Sequence, residues 1–162
     1  MEEAIETTRS QAVSDSTLAK AAIIPGIING IINAVTQWFV FSKETQIMIT
    51  GDSISSNDLA VFGVALQVAL TIAIMSTTVA YLTYKSPVPK PKYFPRVFLT
   101  TLKHVFFAFG IGTSIAILWQ RFVGTIYVSP VVGTAMIFVI AALASWFVSW
   151  MTLKEITKGA PQ

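Results

Sequence analysis

The sequence predicts an all-α integral membrane protein, an antiparallel four-helix transmembrane bundle with N and C termini in the cytoplasm. Three observations lead to this fold class. The chain is 54% hydrophobic and only 12% charged, whereas soluble domains carry about 25% charged residues. Four apolar runs are each long enough to cross a hydrocarbon core, which takes roughly 20 helical residues. The basic residues are concentrated in segments that would share one side of the membrane.

The polar N-terminal segment, residues 1–16, is predicted to be a disordered cytoplasmic tail. It lacks the short basic start that a cleavable signal peptide requires, so the first apolar run is expected to remain in the protein. Residues 17–155 are assigned to the transmembrane domain, and residues 156–162 to a short second tail in the cytoplasm.

The spans are predicted at about 21–41, 59–81, 100–120 and 128–151. These runs are longer and more continuous than the alternating strands of 9–11 residues that build membrane barrels, so they are predicted to be helices. The connection at 121–127 is short, and the third and fourth spans are therefore expected to be antiparallel neighbours. Within the loop at 43–58, the stretch "QIMIT" is expected to be briefly extended.

The orientation follows from the distribution of lysine and arginine. With both termini inside, only Lys43 and Arg121 of the eleven basic residues lie outside. The opposite orientation would reverse that bias, against the tendency of basic residues to stay in the cytoplasm. The location that follows is a multi-pass protein of the cell (inner) membrane.

The first span carries two polar or small stripes side by side. At 100° per residue, one face holds a small-residue stripe that resembles a GxxxG packing pattern, formed by Gly26, Gly30 and Ala34. About 60° away lies a stripe of amides, formed by Asn29, Asn33 and Gln37. The opposite side is rich in isoleucine and is expected to face lipid.

Two interpretations of these stripes remain open. The small residues and amides can form a packing seam, either within the bundle or between copies of the chain, or the amides can line a water-filled path for a small solute. Gln67 on the second span is the natural partner for the amides, because consecutive helices usually adjoin. Pro25 either occupies the first turn of the helix, where its missing N–H is harmless, or bends it.

The proline-rich loop between the second and third spans is basic. Its residues Lys90, Lys92 and Arg96 are predicted to contact anionic lipid headgroups, although they could instead only set the topology or bind a cytoplasmic partner. At the start of the third span, Lys103 is expected to reach the headgroups and His104 to sit at the interface. A chain with one histidine and no cysteine gives no reason to predict a metal or another cofactor.

The functional hypotheses follow from what the spans contain. No Asp or Glu lies within any predicted span, which disfavours an enzyme and an ion-coupled transporter. The first hypothesis is a non-catalytic, oligomerising or accessory subunit that binds itself or a larger membrane protein within the lipid bilayer. The alternative is an oligomeric channel or uncoupled transporter for a small polar or ionic solute, lined by the amides. No nucleic-acid partner is predicted.

Overall fold

The computed structural model describes residues 13–50, 59–86 and 89–158. Within these ranges the regular secondary structure is helical apart from two short strands, and short loops connect the elements. The elements in chain order are α1 (Asp15–Ala21), α2 (Ile23–Phe41), β1 (Ile47–Met48), α3 (Val61–Thr83), a kinked turn (Tyr93–Val97) in which Phe94 is extended, α4 (Phe98–Phe122), β2 (Tyr127–Val128) and α5 (Pro130–Thr157). The prediction of an all-helical chain is confirmed in this part of the molecule.

Four helical segments among the described residues are long and apolar enough to cross a membrane. They are Asp15–Phe41, Val61–Thr83, Tyr93–Phe122 and Pro130–Thr157. The isoleucine side of α2 faces outward as predicted, and Ile24 is 68% exposed. The four helices predicted from the sequence are therefore present and have the length and composition of membrane spans.

The two predicted tails are shorter than expected where the structure describes them. Residues 1–12 and 159–162 lie outside the described part of the chain. Residues 15 and 16 already belong to α1, and α5 continues past the predicted end at residue 151 to Thr157. These additional helical residues are stabilised by packing between α1 and α5, because Leu18 of α1 is buried against Leu153 and Ile156 of α5.

The first span is broken once, just before its proline. α1 ends at Ala21 and α2 begins at Ile23, so Pro25 lies in the first turn of α2. A proline ring collides with the carbonyl four residues earlier and donates no hydrogen bond to it, and that carbonyl belongs to Ala21, where α1 ends. The main-chain N–H of Gly26 restores the helical pattern by donating to the Ala22 carbonyl at 3.1 Å. Both alternatives for Pro25 therefore hold in part.

The long helices are not arranged in chain order. α2 lies mainly against α5, α3 lies between α5 and α4, and α4 contacts mainly α3. Two predictions about neighbours need correction: α2 and α3 touch only sparsely, and α4 and α5 also touch sparsely despite their short connection. The short connection fixes where these two chain ends meet but does not bring the two helix faces together along their length.

One end of the bundle, which we call the strand end, is closed by the two strands. β1 and β2 pair antiparallel, with Ile47 opposite Val128, so the predicted extended stretch is confirmed. Ile49 extends the link, since its N–H donates to the Ile126 carbonyl at 2.8 Å. Beneath them, Phe41 and Ile47 are fully buried with Val61, Ala65 and Ile137.

The opposite end, which we call the terminal end, holds α1, the end of α5 and the loop before α4. The hydroxyl of Tyr81 donates to the Pro91 carbonyl at 2.9 Å, and that of Thr78 lies 3.0 Å from the hydroxyl of Tyr93. The Asp15 carboxylate accepts from Lys154 Nζ at 2.8 Å. These contacts fasten α1 and the proline-rich loop to the long helices.

Candidate functional site

The small-residue stripe of α2 lies at a close contact within the chain. A Cβ placed on Gly26 would stand 2.9 Å from the carbonyl oxygen of Ala142, and one placed on Gly30 would stand 2.9 Å from the Ala142 Cβ. Both glycines are buried. The side of α2 that could have received another protein is therefore already filled by α5. Ala34, the third member of the stripe, is half-buried.

Asn29 joins three helices through a small polar cluster. Its Nδ2 donates to Ser145 Oγ of α5 at 2.7 Å and lies 3.4 Å from Ser76 Oγ of α3. The two serine hydroxyls are 2.9 Å apart, and both serines are buried. A buried amide in an apolar setting needs such partners, and here they fix how α2, α3 and α5 meet.

The other amides do not extend this cluster. Asn33 Nδ2 donates to the carbonyl of Asn29 in its own helix at 2.8 Å, and Gln37 is half-buried. Gln67 is exposed on α3, which packs mainly on α5 and α4 and only sparsely on α2. The structure therefore does not bring the four amides together along one path.

The three basic residues of the loop differ in their surroundings. Lys90 Nζ donates to the Tyr81 carbonyl in the last turn of α3 at 2.7 Å, and Arg96 pairs with Glu155 at 3.3 Å. Lys92 is exposed and makes no hydrogen bond or ion pair among the described residues. Of the three, Lys92 is thus the one whose side chain is exposed and has no partner in the described part of the chain.

His104 is buried between α3 and α4, with only 3% of its surface exposed, rather than standing at an open interface. The Thr77 hydroxyl donates to the Ala73 carbonyl at 2.7 Å. Because the one hydroxyl hydrogen of Thr77 is used in that bond, His104 Nδ1–H donates to Thr77 Oγ1, 3.0 Å away. In a neutral ring this leaves Nε2 with a free lone pair.

A cavity of about 320 Å³ opens between α3, α4 and α5, and we call it the groove. It lies where α4 and α5 diverge, and apart from His104 its walls are apolar or glycine, including Leu66, Phe107, Ile111, Gly112 and Phe147. The rings of Phe107 and Phe147 stack with their centroids 6.0 Å apart. This volume lies at the lower end of the range for ligand pockets, about 300–1,000 Å³.

The groove is the feature that sequence reasoning missed. The signal in the sequence is a pair of small residues, Ala108 on α4 and Ala144 on α5, whose short side chains leave room beside large rings. That signal becomes readable only when the helix order is known, because small residues equally accompany tight packing. Among the described residues, no group of three acidic, histidine or cysteine side chains is placed to hold a metal ion.

No protein-family model, curated protein or solved structure matches this chain. Its function is therefore inferred from the geometry of its own surfaces.

Proposed function

We propose that the chain is a multi-pass protein of the cell membrane, with four spans and both termini in the cytoplasm, that acts as a non-catalytic, oligomerising subunit. The apolar lengths of the four helices support the spans. The excess of basic residues at the terminal end supports the orientation, because cytoplasmic segments are enriched in lysine and arginine. The proposed oligomer uses a surface of α4, and not the small-residue stripe of α2 that the sequence singles out.

The observation that carries the proposal is an unfilled notch on the outward side of α4. A Cβ on Gly110 would meet no atom within 4 Å, and Ser114, one turn on, is exposed. Large side chains flank these two small ones, since Phe106 is 74% exposed and Ile117 is 62% exposed. At 100° per residue all four residues fall within an arc of about 80°.

A second copy of this chain fits the notch. Copies inserted with the same topology are related by a two-fold axis along the membrane normal, so the same surface of α4 meets itself in a parallel pair. Small residues four apart then let the two backbones approach, while Phe106 and Ile117 pack beside the crossing. The equivalent glycines of α2 are unavailable for this purpose because α5 covers them.

Disulfide crosslinking tests the dimer directly, because the chain has no cysteine of its own. Purified Ser114→Cys protein in liposomes is expected to crosslink to a dimer upon oxidation. Thr71→Cys is the matched control, since Thr71 is an exposed hydroxyl residue near mid-depth of α3, and it should stay monomeric. Adding Gly110→Leu to Ser114→Cys should lower crosslinking about tenfold, because a leucine blocks the backbone approach.

Two results would count against the proposal. One is equal crosslinking at both positions, which indicates random collision. The other is the absence of any Ser114→Cys dimer at high protein density. Gly110→Leu is not expected to disturb the monomer, because nothing lies near that position to be displaced. The described contacts give no corresponding support to a path lined by amides, since Gln67 is exposed on α3, Asn29 bonds to Ser145 and Asn33 bonds to its own helix.

A further inference from the structure

The groove has the length of one lipid chain. On α4 its lining residues run from His104 to Ile115 and on α5 from Ile140 to Met151, which at 1.5 Å per residue is about 16 Å. The hydrocarbon core of a bilayer is about 30 Å thick, so one leaflet supplies about 15 Å. On α4 and α5 the groove therefore extends over about the depth of one leaflet. On α3 it reaches Phe62 in the first turn, near the strand end, and toward the terminal end it stops at His104 and Met151.

The groove continues at that end into a second, polar cavity of about 330 Å³, which we call the mouth. His104, Phe147 and Met151 line both cavities. Around the mouth stand three lysines and one carboxylate, which are Lys103, Lys154, Lys158 and Glu155. The mouth therefore carries net positive charge where a lipid headgroup would lie.

Among the described residues the charges of the mouth are only partly neutralised. Lys154 pairs with Asp15 at 2.8 Å. Lys158 Nζ lies 3.5 Å from Glu155, and that same carboxylate also binds Arg96. Lys103 is exposed and has no hydrogen bond or ion pair within the described part of the molecule. An anion at the mouth would supply the missing partner of Lys103.

His104 adds a directional contact at the junction of groove and mouth. Because its Nδ1–H is held by Thr77, the ring is fixed and Nε2 is the atom left to a ligand. In the neutral ring Nε2 accepts a hydrogen bond from a hydroxyl, and in the charged ring it donates one to an anion. A headgroup that combines a phosphate with hydroxyls matches both possibilities.

We propose that the groove and mouth together bind one anionic phospholipid, with an acyl chain between α4 and α5 and its phosphate beside Lys103 and His104. The apolar walls match the acyl chain, the length along α4 and α5 is about that of one leaflet, and the charge of the mouth matches the headgroup. This site is separate from the outward notch of α4 and does not depend on a dimer.

Lipid retention tests the proposal. Protein reconstituted in liposomes of equal phosphatidylglycerol and phosphatidylcholine is extracted in mild detergent, and the bound lipids are counted by native mass spectrometry. One phosphatidylglycerol should be retained in preference to phosphatidylcholine. Lys103→Gln should lower that preference about fivefold, as expected for one basic residue beside an anionic headgroup. The matched control Lys92→Gln removes an exposed charge from the nearby loop and should change little.

A second pair of variants tests the acyl chain. Ala108→Phe places a ring in the groove and should abolish retention of both lipids at this site, whereas Ile28→Phe adds the same ring to the outward side of α2 and should not. Helix content by circular dichroism checks folding, and Lys103→Gln remains decisive should Ala108→Phe not fold. Glycerol 3-phosphate in large excess should not displace the lipid, since it has no chain.

Three results would overturn the proposal. Equal retention of the two lipids would show that the headgroup is not recognised. Equal effects of Lys103→Gln and Lys92→Gln would show that only the general surface charge acts. Displacement by glycerol 3-phosphate would show that the mouth binds a free phosphate. The groove would then bind something other than an acyl chain, such as a helix of another protein.

Discussion

Helices α2 and α4 both lie beside α5, but they meet it in opposite ways. Where α2 meets α5, Gly26 and Gly30 have no side chain beyond a hydrogen atom, so the backbones of the two helices come close. Against α4, the rings of Phe107 and Phe147 stack between the helices, and the groove opens around them. Residue size at the contact, rather than overall apolarity, therefore decides which helices pack closely against each other.

The proposed membrane setting explains why the size of the residues at a contact matters so much. Between transmembrane helices the hydrophobic effect contributes little, because lipid chains are as apolar as the side chains they replace. A contact therefore forms where dispersion and hydrogen bonds are better than those that lipid offers. The α2–α5 seam has both, through its glycines and through Asn29, whereas the α4–α5 side offers lipid a surface that it can fill.

The largest expected effect comes from filling the seam. Gly30→Leu should lower the free energy of unfolding by about 3 kcal/mol, the upper part of the usual range for overpacking, because even a Cβ at this position would stand 3.0 Å from the Phe138 ring. The measurement is a denaturant titration in detergent micelles, followed by circular dichroism.

The matched control is Gly63→Leu. Gly63 also lies on a long helix but has no atom within 4 Å of a built Cβ, so its substitution should change the free energy of unfolding by about 0.5 kcal/mol or less. Equal losses in the two variants would mean that the close approach of α2 and α5 is not what holds the bundle together.

A smaller effect is expected from the polar cluster of the seam. Asn29→Leu removes the 2.7 Å bond to Ser145 and should lower the free energy of unfolding by about 1–2 kcal/mol, as for interhelical hydrogen bonds in membranes. Asn33→Leu is the control because its amide bonds only the backbone of its own helix. A loss as large in Asn33→Leu as in Asn29→Leu would contradict the role of the three-helix cluster.

Much of the fold could be predicted from the sequence, because long apolar runs and their helical periodicity depend on local residues. The outward isoleucines of α2 and the short strand at Ile47 belong to this class. The order of the helices could not be predicted, since it depends on which faces fit each other. The expectation that Gln67 meets the α2 amides relied on chain order, and α5 takes the place of α3 beside α2.

The candidate site shows the same limit. The glycines and Asn29 could be singled out by their spacing, but the spacing does not reveal that Ser76 and Ser145 face them from two other helices. His104 looked like an interfacial residue because it stands next to Lys103, yet one residue of helical rotation turns it toward Thr77 and away from the surface. The groove depends on which helices diverge, and its small residues, Ala108 and Ala144, cannot be distinguished from residues of a tight contact by sequence alone.

The smallest expected effect on stability is at Glu155, which lines the mouth next to the groove. Its carboxylate accepts from Arg96 at 3.3 Å and from Lys158 at 3.5 Å, and its side chain is 33% exposed. Glu155→Gln should therefore lower the free energy of unfolding by about 0.5 kcal/mol, the usual contribution of a solvated ion pair, measured by the same titration.

The same substitution should act in the opposite direction on the groove. Removing the one carboxylate that lines the mouth raises the net positive charge there and frees Lys158 for a headgroup, so retention of phosphatidylglycerol should rise by up to about fivefold. Native mass spectrometry of the wild type and Glu155→Gln, side by side at low and high salt, measures the change, which added salt should reduce. If retention falls instead, Glu155 orders the basic side chains that hold the phosphate, and simple charge balance does not govern the mouth. A loss of stability without any change in retention would separate the ion pair from the lipid site altogether.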